Sequence, residues 1–248
     1  MNRATVDLSV VIPVYNEEAR LPATLAAVRA HLGASPLSWE LVVVDDGSAD
    51  GTWRLVRAAA RREPRIRTLR SPVNRGKGHA VRSGMLASRG RLVLLSDADL
   101  ATPIEELDRL RAALGPGHGA AIGSRPRGRR HPLRELPARL GGALIRVLVV
   151  PGIADTQCGF KLFDGARGRA VFQDAVIDGW GFDVEILCLL AKAGWPVAEV
   201  PVEWSHRPGS KFRPLDYPRI LAEIVRIRRS HGRPRPAATA PASLRAAA

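Results

Sequence analysis

Residues 92–100 read Leu-Val-Leu-Leu-Ser-Asp-Ala-Asp-Leu, an apolar run that stops at two carboxylates. Four apolar residues bounded by polar ones fit a strand buried on both faces, as in a parallel sheet covered by helices. Side chains two apart on a strand share a side, so extended backbone through Asp99 predicts that Asp97 and Asp99 converge on one hard cation. Such a cation would hold phosphate oxygens, since Mg²⁺ is commonly bound by one or two carboxylates plus the phosphates of a substrate. Taken alone, Asp-x-Asp is also a common surface pattern, and its meaning depends on what surrounds it.

Working outward, Leu8–Val14 (LSVVIPV) and Glu40–Val44 predict two more buried strands. Ile66–Leu69 is a short strand and Arg91–Leu95 the fourth. Between them the spacing predicts helices over Asn16–His31, from Asp50 or Thr52 (either could cap) to about Arg61, and over Ala80–Ser88. Strand and helix thus alternate four times in the first hundred residues, the pattern of an α/β fold whose mostly parallel central sheet has helices on both faces. Ligands of such sheets sit beyond the carboxyl ends of the strands. Asp45, Asp46, Asp97 and Asp99 all map there.

Further along, Pro103–Leu114 predicts a helix with Thr102 as cap and Glu105 as capping-box partner. Ala120–Gly123, Phe160–Phe163 and Val197–Val202 predict late strands, and Gly181–Lys192 a helix. The Arg125–Arg139 segment is basic and proline-containing, which reads as an exposed loop. Ala138–Val150 reads either as a buried helix or as one lying at a bilayer surface. The chain divides into a catalytic-size domain over 1–217, a basic amphipathic helix over 218–231, and a Pro/Ala/Arg-rich tail over 232–248 expected to be disordered.

The 248 residues carry 38 Lys plus Arg against 24 Asp plus Glu, a formal charge of +14. That balance suits anionic partners: nucleic acid or an acidic membrane face. Genome-wide arginine enrichment would produce it too. Two cysteines, Cys158 and Cys188, support neither a disulfide framework nor metal-ligand spacing. No apolar run reaches the 18 residues of a membrane span, and the first residues lack a signal-peptide core. A cytoplasmic location follows as the expectation. Absence of Gly-x-Gly-x-x-Gly after the first strand and of a Gly-Lys-Ser/Thr loop disfavours a dehydrogenase or a P-loop ATPase.

Several constellations carry chemistry. Asp45-Asp46-Gly47-Ser48 stands where such a sheet receives a nucleoside, with carboxylates able to accept from a base N–H or a ribose hydroxyl. Gly76-Lys77-Gly78 is either a plain turn or a backbone that brings Lys77 near a diphosphate. Arg125, directly after a strand, can hold a second phosphate. Asp155 and Gln157 lie in a polar, glycine-containing loop and are candidates for a sugar or acceptor site. Trp180 either stacks on a sugar or packs in the core; Asp183 and Glu185 either serve the site or are capping and solvated residues. Lys211 belongs to a cationic loop, HRPGSK, able to fold over a phosphate.

The blocks VVIPVYNEE (10–18), VVVDDGSADGT (42–52), NRGKGHAVRSGM (74–85) and LLSDADLATP (94–103) resemble the family 2 inverting glycosyltransferases of GT-A fold. GSR (123–125), DTQCGFKLF (155–163), WGFDVEIL (180–187) and EVPVEWSHRPGSK (199–211) are most similar to the dolichyl- or polyprenyl-phosphate β-glucosyltransferases, relatives of the dolichyl-phosphate mannose synthases. The resemblance implies a nucleotide-sugar donor, most readily UDP-glucose, and a lipid-linked phosphate acceptor at an anionic membrane surface, with peripheral attachment and no nucleic acid partner. GDP-mannose is the alternative donor; a basic RNA-binding module or a non-catalytic nucleotide-sugar-binding module is the alternative of another class. It also implies Pro13, Glu17, Asp45 and Asp46 at the nucleotide, Asp97 and Asp99 at Mg²⁺ or Mn²⁺ with Asp99 the direct ligand, and Arg125 and Arg139 at the acceptor phosphate. Ala143 departs from the serine those synthases often carry.

Overall fold

The first apolar run forms strand β1 (Val6–Val14), an interior strand of a seven-stranded sheet in the computed structural model, which describes residues 6–126, 152–207, 209, 211 and 216–232. Val10, Val11 and Ile12 are wholly buried there. Removing each such side chain from water is worth about 1.5–3 kcal/mol. After β1 come α1 (Leu21–Ala34), β2 (Trp39–Asp45), α2 (Thr52–Arg62), β3 (Ile66–Arg70), α3 (Lys77–Ala87) and β4 (Gly90–Leu95). A 3-10 turn (Ile104–Glu106) leads into α4 (Leu107–Ala113) and β5 (Ala120–Ser124). Then follow β6 (Lys161–Asp164), α5 (Gly165–Asp174), α6 (Phe182–Lys192), β7 (Val197–Pro201) and α7 (Tyr217–His231).

The strand order is β3-β2-β1-β4-β6-β5-β7. β1 runs parallel to β2 and β4, β2 to β3, and β5 to β7, while β6 runs antiparallel to both β4 and β5. Helical crossovers return the chain between the parallel strands, and they cover both faces. On one face Val11, Val42, Val44, Val93 and Leu95 pack with residues of α3, α5, α6 and α7. On the other, Val10, Ile12, Leu41, Val43 and Leu94 pack with residues of α1, α2 and α4. α7 is amphipathic, and its Ile220, Ile224 and Ile227 belong to the first of these cores.

Three local expectations are corrected. α1 begins at Leu21 rather than Asn16, because residues 16–18 are tied sideways to the turn after β2. Asn16 has φ +52°, its amide donates to Ser48 Oγ, and the amides of Glu17 and Glu18 donate to Thr52 Oγ1 and Asp50 Oδ2. Thr102 does not cap: the segment starts as a 3-10 turn after Pro103 with no side-chain cap bond. Neither Asp50 nor Thr52 caps α2: the N-cap is Gly51, and Asp50 accepts from the Thr52 amide at 2.9 Å in the turn before the helix. Among the described residues no helix is long and apolar enough to cross a membrane. The expectations for the helix over 138–150 and the tail over 233–248 fall outside the described residues.

Candidate active site

A cavity of about 800 Å³ opens at the carboxyl ends of β1, β2 and β4. Strand pleat decides which acids reach it. Asp46 continues the parity of Val42 and Val44 toward α3, whereas Asp45 follows Leu41 and Val43 toward α1 and α2. Asp46 therefore lines the cavity. Its carboxylate accepts from the backbone amides of Arg75 (3.1 Å) and Gly76 (2.8 Å), so it shapes the loop before α3 as well as the cavity wall. Asp45 is sealed under the turn: Oδ1 accepts from the Ser48 amide at 3.0 Å, and Oδ2 lies 3.2 Å from Arg70 Nε at an angle that makes no hydrogen bond. The expected contact of Asp45 with base or ribose is thus corrected, because the pleat turns it to the far face. Gly47 (φ +74°) is required at this turn, since a Cβ would sit 2.4 Å from the Val73 backbone.

Asp97 and Asp99 both line the cavity, though not by strand alternation. β4 ends at Leu95, and Ser96 donates its amide to Val11 O. On that side the next donor would be residue 13, and Pro13 has no N–H, so the ladder stops and the chain turns away. The Leu100 amide closes a turn on Asp97 O at 3.3 Å, with φ +46° at Leu100. The turn, rather than the pleat, presents both carboxylates. Pro13 itself lines the cavity.

Each of the two acids faces a cation of this chain. Lys77 Nζ lies 2.6 Å from Asp97 Oδ1, and Arg20 Nη1 lies 4.0 Å from Asp99 Oδ2. Asp99 Oδ1 also accepts from the Ala101 amide. Burial opposes the charge on Lys77, but Asp97 and then Asp183 outweigh it and its pKa is raised. Burial likewise pushes Asp97 up, and Lys77 more than reverses this, leaving it below the usual carboxylate range. Glu17 binds Arg20 through a two-bond fork of 2.7 and 2.6 Å, yet burial prevails and raises its pKa. Lys77 also lies against the rings of Trp180 (5.5 Å) and Phe182 (5.8 Å). Trp180 lines the cavity, as do Glu17 and Lys211, whose Nζ donates to Asn16 O.

Behind this pair is a second one. Asp183, in the first turn of α6, bonds Lys161 Nζ, which also donates to Cys158 O. Burial raises the Asp183 pKa against the pull of Lys161 and Lys77. Lys161 thereby fixes the loop carrying Gly159, where a Cβ would clash with the Asp97 carboxylate, 2.0 Å from Oδ2. Gly159 makes the room that Asp97 occupies. A third pair joins Arg125 to Asp155: Nε and Nη2 reach the two carboxylate oxygens at 2.6 and 2.7 Å, and the Arg125 amide adds 3.1 Å. Burial opposes the charge of both, and their mutual fork holds Arg125 high and Asp155 low. Arg125 also lies over Trp204 (5.8 Å), which lines a second concavity of about 520 Å³. Asp155 is thus a partner of Arg125. Gln157 is exposed on the same loop.

Glu185 is corrected: it is neither a cavity group nor a solvated one. Wholly buried, it accepts from the amides of Val176 and Ile177 at 2.9 Å and pairs with His231 Nε2 at 2.8 Å. It ties the loop after α5 to the end of α7. Asp183 is also buried rather than solvated or capping. Arg139, with Arg129, Arg130, Arg134 and Ala143, lies outside the described residues. Groups that sequence reasoning missed are Arg20, Asp178 and the α7 residues Arg219, Glu223 and Arg226, all on the cavity wall. Nothing in the local sequence marks them, because α7 is brought to the cavity by long-range contacts: its isoleucine stripe in the core, Glu223 accepting from the Gly181 amide, and His231 paired with Glu185.

Two carboxylates in a cavity whose described lining includes no Cys or His suit a hard divalent cation, and among the described residues no cluster of three His, Cys, Asp or Glu could hold one by itself. An ion here would need oxygens from a bound phosphate.

A family model described as glycosyl transferase family 2 matches residues 9–169. The chain is similar to dolichyl-phosphate beta-glucosyltransferases: 39% identical to that of Dictyostelium discoideum over 240 residues (89% of this chain, 73% of that protein) and 36% to that of Homo sapiens over 230 (85% and 71%). Among solved structures, glucosyl-3-phosphoglycerate synthase of Mycobacterium tuberculosis with Mn²⁺, UDP and glucosyl-3-phosphoglycerate aligns with TM-score 0.63 at 21% identity, covering 93% of this chain and 81% of that one. A mannosyltransferase of Pyrobaculum calidifontis with GDP-Man and Mn²⁺ gives 0.57 at 21%, covering 90% and 70%. The shared architecture is the GT-A fold that the sequence resemblance implied.

Proposed function

The chain belongs to glycosyl transferase family 2, and from that premise we propose that it transfers glucose from UDP-glucose to a dolichyl or polyprenyl phosphate, giving a β-linked lipid phosphosugar. The observation that carries this reading is the cavity at the strand ends in which Asp97 and Asp99 stand beside Lys77. The names of the relatives supply the sugar and the acceptor, and the ligands of the GT-A neighbours suggest the donor type.

A phosphate monoester has a second pKa of about 6, so near neutral pH its oxygen is already a nucleophile and needs no strong base. The remaining work is alignment and charge stabilisation. Asp97 and Asp99 would hold Mg²⁺ or Mn²⁺, which when bound neutralises the departing diphosphate as a Lewis acid. Pro13, Glu17 and Asp46 form the nucleotide side of the cavity, Trp180 and Lys211 its outer wall, and Lys77 faces the diphosphate. Arg125, preset by Asp155 and Trp204, orients the acceptor phosphate with Arg139. Attack from the face opposite the leaving group inverts the anomeric centre.

The lipid acceptor calls for a membrane face. On α7, Leu221 and Val225 are about half exposed, with the exposed Arg229 one turn beyond Val225, which suits an anionic bilayer. The test is a donor panel with polyprenyl phosphate, divalent cation and anionic vesicles. Expected is transfer of glucose from UDP-glucose with the enzyme sedimenting on the vesicles. Faster transfer of mannose from GDP-mannose would reassign the donor, and no lipid product from any donor would refute the reading.

A further inference from the structure

Lys77 and Asp97 make a close contact across the cavity wall, at 2.6 Å between Nζ and Oδ1. Their position is unusual for a structural ion pair, because Asp97 is one of the two carboxylates turned toward the cavity and its side chain keeps 35% of its exposure. The second carboxylate, Asp99, has Arg20 at 4.0 Å. The chain's own cations therefore stand where an incoming divalent cation needs oxygen ligands.

Lys77 has little freedom to give way. Trp180 and Phe182 flank its ammonium, and Gly76 before it is fixed at φ +109°, with Asp178 O only 2.4 Å from where a Cβ would lie. The nearby Asp183 is already committed to Lys161. A dication entering alone would take Asp97 and leave Lys77 unpaired beside two further positive charges. A diphosphate entering with the cation supplies anionic oxygens to both. We infer that Lys77 is a built-in counter-ion for Asp97 that gates the metal site, so that divalent cation and nucleoside diphosphate bind this cavity with strong positive coupling. The inference deepens the reading above and rests on it for the identity of the nucleotide.

By linkage, the factor by which the nucleotide tightens the cation equals the factor by which the cation tightens the nucleotide. Removing the counter-ion should raise the affinity for cation alone while lowering that for nucleotide. Titration calorimetry with Mn²⁺ alone, UDP alone, and Mn²⁺ at saturating UDP reads all of these without turnover. Lys77→Met, which keeps the aliphatic stem between the two rings, should bind Mn²⁺ alone about tenfold tighter than the native chain, within the usual 5–150-fold range of coupling. UDP alone should bind it more weakly, and the coupling factor should shrink. Adding Asp97→Asn to Lys77→Met should abolish the gain, and circular dichroism checks that both variants are folded. Equal or weaker Mn²⁺ binding by Lys77→Met would overturn the inference, as would a gain that survives Asp97→Asn. Should Mn²⁺ binding tighten while neither UDP nor UDP-glucose binds, the counter-ion role stands and the donor assignment falls. Should UDP-glucose turn over without any such gain, the assignment stands and the counter-ion role falls.

Discussion

Asp45-Asp46 and Asp97-Ala98-Asp99 flank β1 at the same edge of the sheet, one closing β2 and the other leaving β4, and the backbone treats them in opposite ways. The adjacent pair is split. Extended backbone sends Asp46 to the cavity and Asp45 to the far face, where it is wholly buried. The spaced pair, which a strand would have aligned, reaches the cavity only because the strand has ended. Pro13 withholds the next ladder donor, and the Asp97–Leu100 turn takes over. Spacing in a sequence acquires meaning only through the backbone conformation that carries it.

The largest effect expected from this contrast is at Asp99. Asp99→Ala should cost about 2–4 kcal/mol of transition-state stabilisation, the scale of one preorganised oxyanion-type contact. Kinetics at saturating metal measure it, and turnover within twofold of native would place the ion elsewhere.

The adjacent pair should separate by type of readout. Asp46→Ala orphans the amides of Arg75 and Gly76, so about 1–3 kcal/mol of stability should go, along with nucleotide affinity, because the loop before α3 loosens. Asp45→Asn should cost only about 1 kcal/mol and leave nucleotide affinity unchanged. Denaturant melts paired with UDP titration make the comparison. Equal losses of nucleotide affinity would break the pleat argument.

The smallest effect is a pH dependence confined to the spaced pair. The Asp97 pKa is depressed in the folded chain, so its pairing with Lys77 stabilises above the unfolded carboxylate pKa of about 3.9 and is lost as pH falls through the lower folded value. In Lys77→Met, burial acts on Asp97 against only the pull of Lys161 and Arg125. The stability gap between native and Lys77→Met chains, measured in metal-free buffer, should thus be full at neutral pH and narrow below about pH 4. A gap constant down to pH 2.5 would mean that the two groups do not interact.

Strands were legible because each is a short apolar run whose burial needs no distant information, and the seven predicted runs coincide with the seven observed strands within a few residues. Helix starts were less so. α1 begins late because Asn16, Glu17 and Glu18 bond to residues more than thirty positions away. At the site, the acids were visible as residue types, but their partners were not. As a residue type Asp155 suits a sugar or acceptor site, and its fork to Arg125, 30 positions away, is a partnership no local pattern shows. Glu185 was read beside Asp183 and instead anchors α7 through His231, 46 residues away.

By itself the sequence determined an α/β sheet with acidic strand ends and the family to which the chain belongs, because apolar runs, turn glycines and ordered motif blocks are local properties. Only the tertiary structure decided which acids face the cavity, which cations stand opposite them, and that α7 forms part of the wall. Those outcomes depend on charges meeting across long stretches of chain in a place where burial makes each unpaired group costly, and no local pattern encodes that encounter.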